Sequence, residues 1–208
     1  MRKLMLAATI AALGSLPAAA AVVVSSVDGA GPYGVPATFQ FDGVTPQYNG
    51  TIYTDSVGSV RAQPAGSTGG YGAVGPSNAQ STALLDLSGF GAISSITFLW
   101  GSVDSFNSLG VVGTAMSFSG GDMGVAPPTG DQSNPNSNRL VTLTFTGSDR
   151  TAVTGLQFSS SGNAFEFDNV NVTTAAVPEP ASWALMLGGF GAIGTAMRSR
   201  RKLAVSFG

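Results

Sequence analysis

Few residues in this chain have the type and spacing for chemistry, and the clearest group is one on which chemistry would be done. Pro178-Glu179-Pro180, preceded by Val177, sets a carboxylate between two prolines. Prolines separated by one residue resist helix and strand alike, so an extended, accessible stretch is expected there, as a processing enzyme requires. In mid-chain, Trp100 stands close to Asp104 and Asn107. An indole face stacks on a pyranose ring while Asp and Asn bond its hydroxyls, so the three are a candidate sugar platform; the preferred alternative is a core Trp followed by a turn. The stretch Asp131-Gln132-Ser133-Asn134-Pro135-Asn136-Ser137-Asn138 offers hard oxygen ligands of the kind calcium accepts. It has no EF-hand pattern, and a polar loop is the preferred reading. Glu166 is the one Glu between residues 22 and 176. Two carboxyl groups suffice for glycoside hydrolysis, yet Glu166 falls where the polar face of a strand would hold it, and the nine Asp of the same region are scattered. The chain has no Cys and no His. That excludes disulfides, a thiol nucleophile, a Ser-His-Asp triad and the usual zinc and copper sites. A protein without enzymatic activity, cofactor or metal is expected.

The elements that hold these residues follow from composition and hydropathy pattern. The 208 residues suit one domain with processing segments at both ends. Gly is abundant, with 29 residues, and charged residues make up only 10% of the chain. This is poor material for exposed helices and good material for strands joined by turns. Phe39 and Phe41 alternate with Thr38, Gln40 and Asp42; Val141, Leu143 and Phe145 with Thr142, Thr144 and Thr146; Phe165 and Phe167 with Glu166 and Asp168. Such runs predict strands with one face buried. The apolar phase slips between Phe167 and Val170, which predicts a β-bulge or tight bend at Asp168-Asn169. Ile93–Trp100 is more continuously apolar, as in a central strand, while Pro64–Pro76 and Gly120–Asn138 read as turn-rich connections. The expected fold class is all-β: an antiparallel β-sandwich or jelly-roll-like body, with an N-terminal signal helix and a C-terminal transmembrane helix.

The two ends carry that last expectation. Residues 1–21 begin with Arg2 and Lys3, continue through an apolar stretch to Leu16, and close on Pro17 and four alanines. This is the plan of a secretory signal peptide, with cleavage expected after Ala20 or Ala21. The extracytoplasmic β domain then spans 22–176, and a terminal segment spans 177–202. Within that segment the 181–197 stretch is apolar and 17 residues long, at the lower limit for a membrane-spanning helix. The cluster Arg198, Arg200, Arg201 and Lys202 follows it and would stay on the cytoplasmic side. Region 22–176 carries nine Asp and one Glu against Arg61, Arg139 and Arg150, a net charge of −7. Three dispersed cations cannot replace the counterions of a phosphate backbone, which excludes nucleic acid as a partner.

Residues 177–194, Val-Pro-Glu-Pro-Ala-Ser-Trp-Ala-Leu-Met-Leu-Gly-Gly-Phe-Gly-Ala-Ile-Gly, with the basic cluster after them, resemble the PEP-CTERM sorting signal in its PEPxxWA…GFG…G variant. The Pro-Glu-Pro motif (Pro178, Glu179, Pro180), the short hydrophobic segment (with Trp183, Gly188, Phe190 and Gly191) and the basic stop occur in the family's order. The extension Leu203–Gly208 departs from it, since members usually end sooner. Such segments are also catalogued as an ice-binding protein C-terminal motif, a label that does not establish ice binding. The resemblance implies a substrate of exosortase, an integral-membrane protease or transpeptidase of Gram-negative bacteria. It also implies an inner-membrane-anchored precursor and a mature protein at the cell surface or in the extracellular matrix. Two segments of the body, Phe98–Asn107 and Phe165–Val170, look like patterns in other exported PEP-CTERM proteins, and no activity comes with them. The expected function is thus that of a non-enzymatic surface or matrix protein with a transient membrane anchor. The alternative is a carbohydrate-binding or ice-binding module delivered by the same signal, with extracellular polysaccharide as its partner.

Overall fold

Strands form where period-two alternation is cleanest. The computed structural model describes residues 19–29, 37–131, 134–175 and 181–200. The expected signal helix and the Pro178-Glu179-Pro180 motif lie outside the described residues. Among the described residues there are ten strands: β1 (Ala21–Asp28), β2 (Ile52–Tyr53), β3 (Tyr71–Val74), β4 (Thr82–Asp86), β5 (Ile93–Gly101), β6 (Asn107–Val112), β7 (Ser117–Ser119), β8 (Arg139–Thr146), β9 (Gly155–Ser160) and β10 (Phe165–Thr174). A single helical turn, α1 (Asp149–Ala152), links β8 to β9, and α2 (Ala181–Arg200) is the C-terminal helix. The chain divides into two units, Met1–Thr174 and Ala175–Gly208.

The strands of the first unit form two antiparallel sheets, β1-β8-β5-β10-β3-β2 and β4-β9-β6-β7. From β3 onward the order has a simple origin. The hairpin β6/β7 is the tip, and the pairs β5/β8, β4/β9 and β3/β10 nest behind it. Successive pairs lie in alternate sheets, so one long hairpin is rolled over on itself. This is the double Greek-key order of a jelly roll, with β1 and β2 added at the edges of the larger sheet.

Rings from both sheets meet in the middle. Phe158 of β9 stacks on Phe167 of β10 with centroids 3.6 Å apart, and meets Phe165 edge-on at 5.3 Å and Phe98 edge-on at 5.9 Å. Aromatic pairs of this kind contribute about 0.5–1.5 kcal/mol each beyond the apolar area they bury. Gly72 of β3 pairs with Phe167, and a Cβ there would fall 2.4 Å from that ring. A glycine in mid-strand is thus the condition for the ring's position.

Several expectations are met and others are corrected. Val141, Leu143 and Phe145 are the buried residues of β8, and β5 lies between β8 and β10 inside the larger sheet. The pairing register between β10 and β5 shifts between Asp168 and Asn171, with Asn169 at φ 52, so the bulge lies where the apolar phase slips. Phe39 and Phe41 are buried, but they make no strand. Phe39 forms one bridge to Val170, and Phe41, at φ 54, turns the chain away from the sheet. The Pro64–Pro76 connection contains β3, whose four residues are all buried. The largest correction concerns β10. Glu166 and Asp168 lie on its second face, and that face is covered: their exposures are 2% and 0%. Residues 55–67 run over it. Pro64 packs near 3.1 Å from a Cβ placed at Gly101, and the Ala62 amide donates to Glu166.

Candidate functional site

The described body brings its carboxyl groups together beneath the 55–67 segment. Glu166 sits near the start of β10, where Oε1 accepts a hydrogen bond from the Ala62 amide (2.9 Å) and Oε2 accepts one from the Ser102 hydroxyl (2.8 Å). Burial opposes its ionisation, and the nearby negative charge of Asp104 adds to this, so its pKa is pushed up to about 8. Asp104 follows the end of β5, after Ser102 turns the chain at φ 39. It is 7% exposed, and burial raises its pKa to about 6. Two residues past Glu166, Asp168 is also raised by burial, to about 7; Oδ1 accepts from the Asn169 amide and Oδ2 has no partner. Glu166 and Asp104 line one cavity of about 330 Å³ with Ser56, Arg61, Ser102 and Asn163. Arg61 is turned to other work: its guanidinium makes a bidentate pair with Asp55 (2.9 Å to each oxygen) and lies 4.2 Å from the centre of the Tyr53 ring.

The candidate sugar platform is not assembled. Trp100 is fully buried and stacked on Phe165 with centroids 4.0 Å apart, so its face is not open to a pyranose. Asn107 is a clip inside the body: its Nδ2 donates to the Ala164 carbonyl (3.1 Å) and its Oδ1 accepts from the Ser160 hydroxyl (2.7 Å). Of the three, only Asp104 reaches a cavity. The reason is local. β5 continues through Gly101, which keeps Trp100 in phase with Ile96 and Phe98 on the core face, and the turn follows after it. The Asp131–Asn138 stretch, apart from Gln132 and Ser133 outside the described residues, forms a 3-10 turn at Pro135–Ser137. There Asn138 Oδ1 accepts from the Ala65 and Ser102 amides, and the Ser137 hydroxyl is bonded to the Asp131 and Asn134 carbonyls. Among the described residues no group of three or more acidic, His or Cys side chains could hold a metal.

In the second unit α2 contains Trp183, Gly188, Phe190, Gly191 and Arg198 and ends at Arg200, three residues beyond the expected limit of 197. Arg201 and Lys202 lie outside the described residues. At 100° per residue Met186, Phe190, Ile193 and Met197 share one side of the helix, and Gly188, Gly191 and Thr195 lie opposite them. Phe190 and Met197 are 64% and 67% exposed. No helix among the described residues is long and apolar enough to cross a membrane. The physical reason is dilution. Four glycines and Thr195 lower the mean hydropathy, and a 17-residue run rises only about 25 Å against a hydrocarbon core of about 30 Å.

Residues 176–202 match the family model of the PEP-CTERM protein-sorting motif. The match takes in the Pro-Glu-Pro motif, the whole of α2 and the basic cluster through Lys202. No curated protein and no solved structure matches the chain significantly.

Proposed function

Because the chain is a PEP-CTERM sorting-domain protein, we propose that it is exported as a precursor, held at the inner membrane by its C-terminal segment, and cut near Pro178-Glu179-Pro180 by an exosortase-type enzyme. The jelly-roll body is then a non-enzymatic surface or matrix component. The motif match over 176–202 is the observation that carries this reading. An anchor of marginal length and apolarity suits a transient hold, and the arginines and lysine after it supply the positive-inside stop. A helix side built from Gly188, Gly191 and Thr195 favours close approach to another membrane helix. At the other end, cleavage after Ala20 or Ala21 would leave the buried Val22 and the rest of β1 in place. Replacing both Pro178 and Pro180 with Ala tests the reading. The precursor should then accumulate in the membrane fraction; release of that variant at the normal rate would defeat it.

A second reading, a binding module for a hydroxylated surface, is favoured by the outer face of the larger sheet. The register places Ser25, Thr142, Thr97 and Asn171 in one row across β1, β8, β5 and β10, and Val23, Thr144, Ser95 and Thr173 in the next. All eight are exposed or half-buried and none is charged. Strands spaced about 4.8 Å apart with side chains every second residue put the six Ser and Thr hydroxyls at regular spacings, with the Asn171 amide and the Val23 side chain at the two edges. Such a face suits an ordered polysaccharide or ice. Glycan-array binding or inhibition of ice growth by the exported protein, lost in Thr97→Lys, would support this reading. Failure of the unsubstituted protein in both assays would remove it.

A further inference from the structure

Burying a carboxylate is costly unless a cation or hydrogen-bond donors offset its charge. Glu166 has two donors, from Ala62 and Ser102. Asp104 is 7% exposed, and among the described residues its carboxylate accepts no hydrogen bond and joins no ion pair; its oxygens are not closed off in the core but open onto the cavity. The fold makes room for this uncompensated group. Gly130 lies against it at φ +65, and a Cβ there would fall 2.2 Å from Asp104 Oδ2. Among the described residues the one cation lining the cavity, Arg61, is already held by Asp55 and the Tyr53 ring. The described residues therefore turn two carboxyl groups and a hydroxyl into one space of about 330 Å³ and supply no free positive charge to it.

We propose that the cavity lined by Asp104, Glu166 and Ser102 is a binding site for one hard divalent cation, calcium by ligand preference. The donors available are oxygens, and a chain without His or Cys offers nothing to softer metals. Asp104 supplies the unpartnered carboxylate, Glu166 the second, and Ser102 a hydroxyl, with water completing the shell. Calcium tolerates such irregular, partly hydrated coordination, whereas magnesium demands a near-regular octahedron. Two carboxylates make a weak site, of the order of 10⁻⁴–10⁻³ M as in extracellular modules. This inference is independent of the sorting reading.

The test is calorimetric titration of the exported protein, first stripped with chelator, with calcium chloride at fixed ionic strength and at two pH values on either side of neutrality. The expected result at both pH values is one saturable site with dissociation constant in the stated range. Asp104→Asn should abolish binding and Glu166→Gln should weaken it about tenfold, while both variants keep the melting curve of the unsubstituted protein in chelator or melt higher. Melting in chelator thereby separates loss of the site from loss of the fold. Absence of calcium heat at concentrations about tenfold above that range overturns the proposal. So does binding that survives Asp104→Asn. A response to neutral saccharide but none to calcium would assign the cavity to a hydroxylated ligand and would equally overturn it.

Discussion

Replacing Glu166 with Gln should make the body less sensitive to alkali. Glu166 is 2% exposed and its pKa is raised from 4.5 to about 8, chiefly by burial. A carboxyl group with a raised folded-state pKa keeps its proton more tightly in the fold than in the unfolded chain. Its contribution to stability is therefore complete below pH 4.5 and is lost progressively as pH rises to about 8. At about 1.4 kcal/mol per pKa unit the shift corresponds to an upper bound of about 5 kcal/mol. Gln keeps the size and the acceptor for the Ala62 amide, and its NH2 group can donate to the Ser102 hydroxyl, so the variant should lie within about 1 kcal/mol of the parent near pH 4.5. Near pH 9 it should be more stable than the parent by about 3–5 kcal/mol. Urea denaturation of both proteins across this range, in chelator, reads the difference directly. Asp168 titrates in both proteins, and the difference curve reports Glu166 together with its coupling to Asp104. Parallel stability curves would refute the burial argument, because they would mean that Glu166 ionises as readily in the fold as in the unfolded chain.

Other substitutions probe the packing. Trp100→Ala should cost about 3–5 kcal/mol of unfolding free energy, as expected for a large ring removed from a dry core, and denaturant titration measures it. A loss under 1 kcal/mol would mean that the ring is at the surface after all. Gly72→Ala should destabilise by about 1–3 kcal/mol, because the added methyl meets the Phe167 ring at 2.4 Å. The Phe167→Leu background should relieve part of that loss, which a double-mutant cycle would resolve. Asp168→Asn should raise stability above about pH 7, where the unsubstituted carboxyl group, with one oxygen unpartnered, begins to ionise.

The legible parts of the fold were those written in short-range periodicity. β8 alternates Val141, Leu143 and Phe145 with threonines, and β5 is a long apolar run; both became strands of the larger sheet. The slip of phase after Phe167 located the bulge, since a bulge is itself a local change of period. What stayed hidden depends on long-range cover. The alternation Phe165-Glu166-Phe167-Asp168 is that of a half-exposed strand, and nothing near it in sequence announces that residues 55–67 lie over its polar face. Phe39 and Phe41 have strand-like spacing, but the chain turns at Phe41 and only their burial is realised. For Trp100 the preferred reading holds: the strand ends one residue later, the ring stays in the core, and its polar neighbours in sequence do not gather around it. The cavity residue Arg61 carried no signal, being distant in sequence from Glu166 and joined to it by topology alone. The sorting segment was readable because its meaning lies in linear order: two prolines around a Glu, an apolar run, and a basic stop.

Sorting by way of a removable C-terminal segment is the central claim, and the mature C-terminus tests it most directly. Protein recovered from the surface of its native host should be digested with trypsin and the C-terminal peptide identified by mass spectrometry. Without processing, trypsin leaves Thr151–Arg198 as one peptide, because no Lys or Arg lies between Arg150 and Arg198. The account predicts a shorter peptide that begins at Thr151 and ends near Pro180. Recovery of only the full Thr151–Arg198 peptide from cells with an active exosortase would contradict it and would make the tail a permanent anchor.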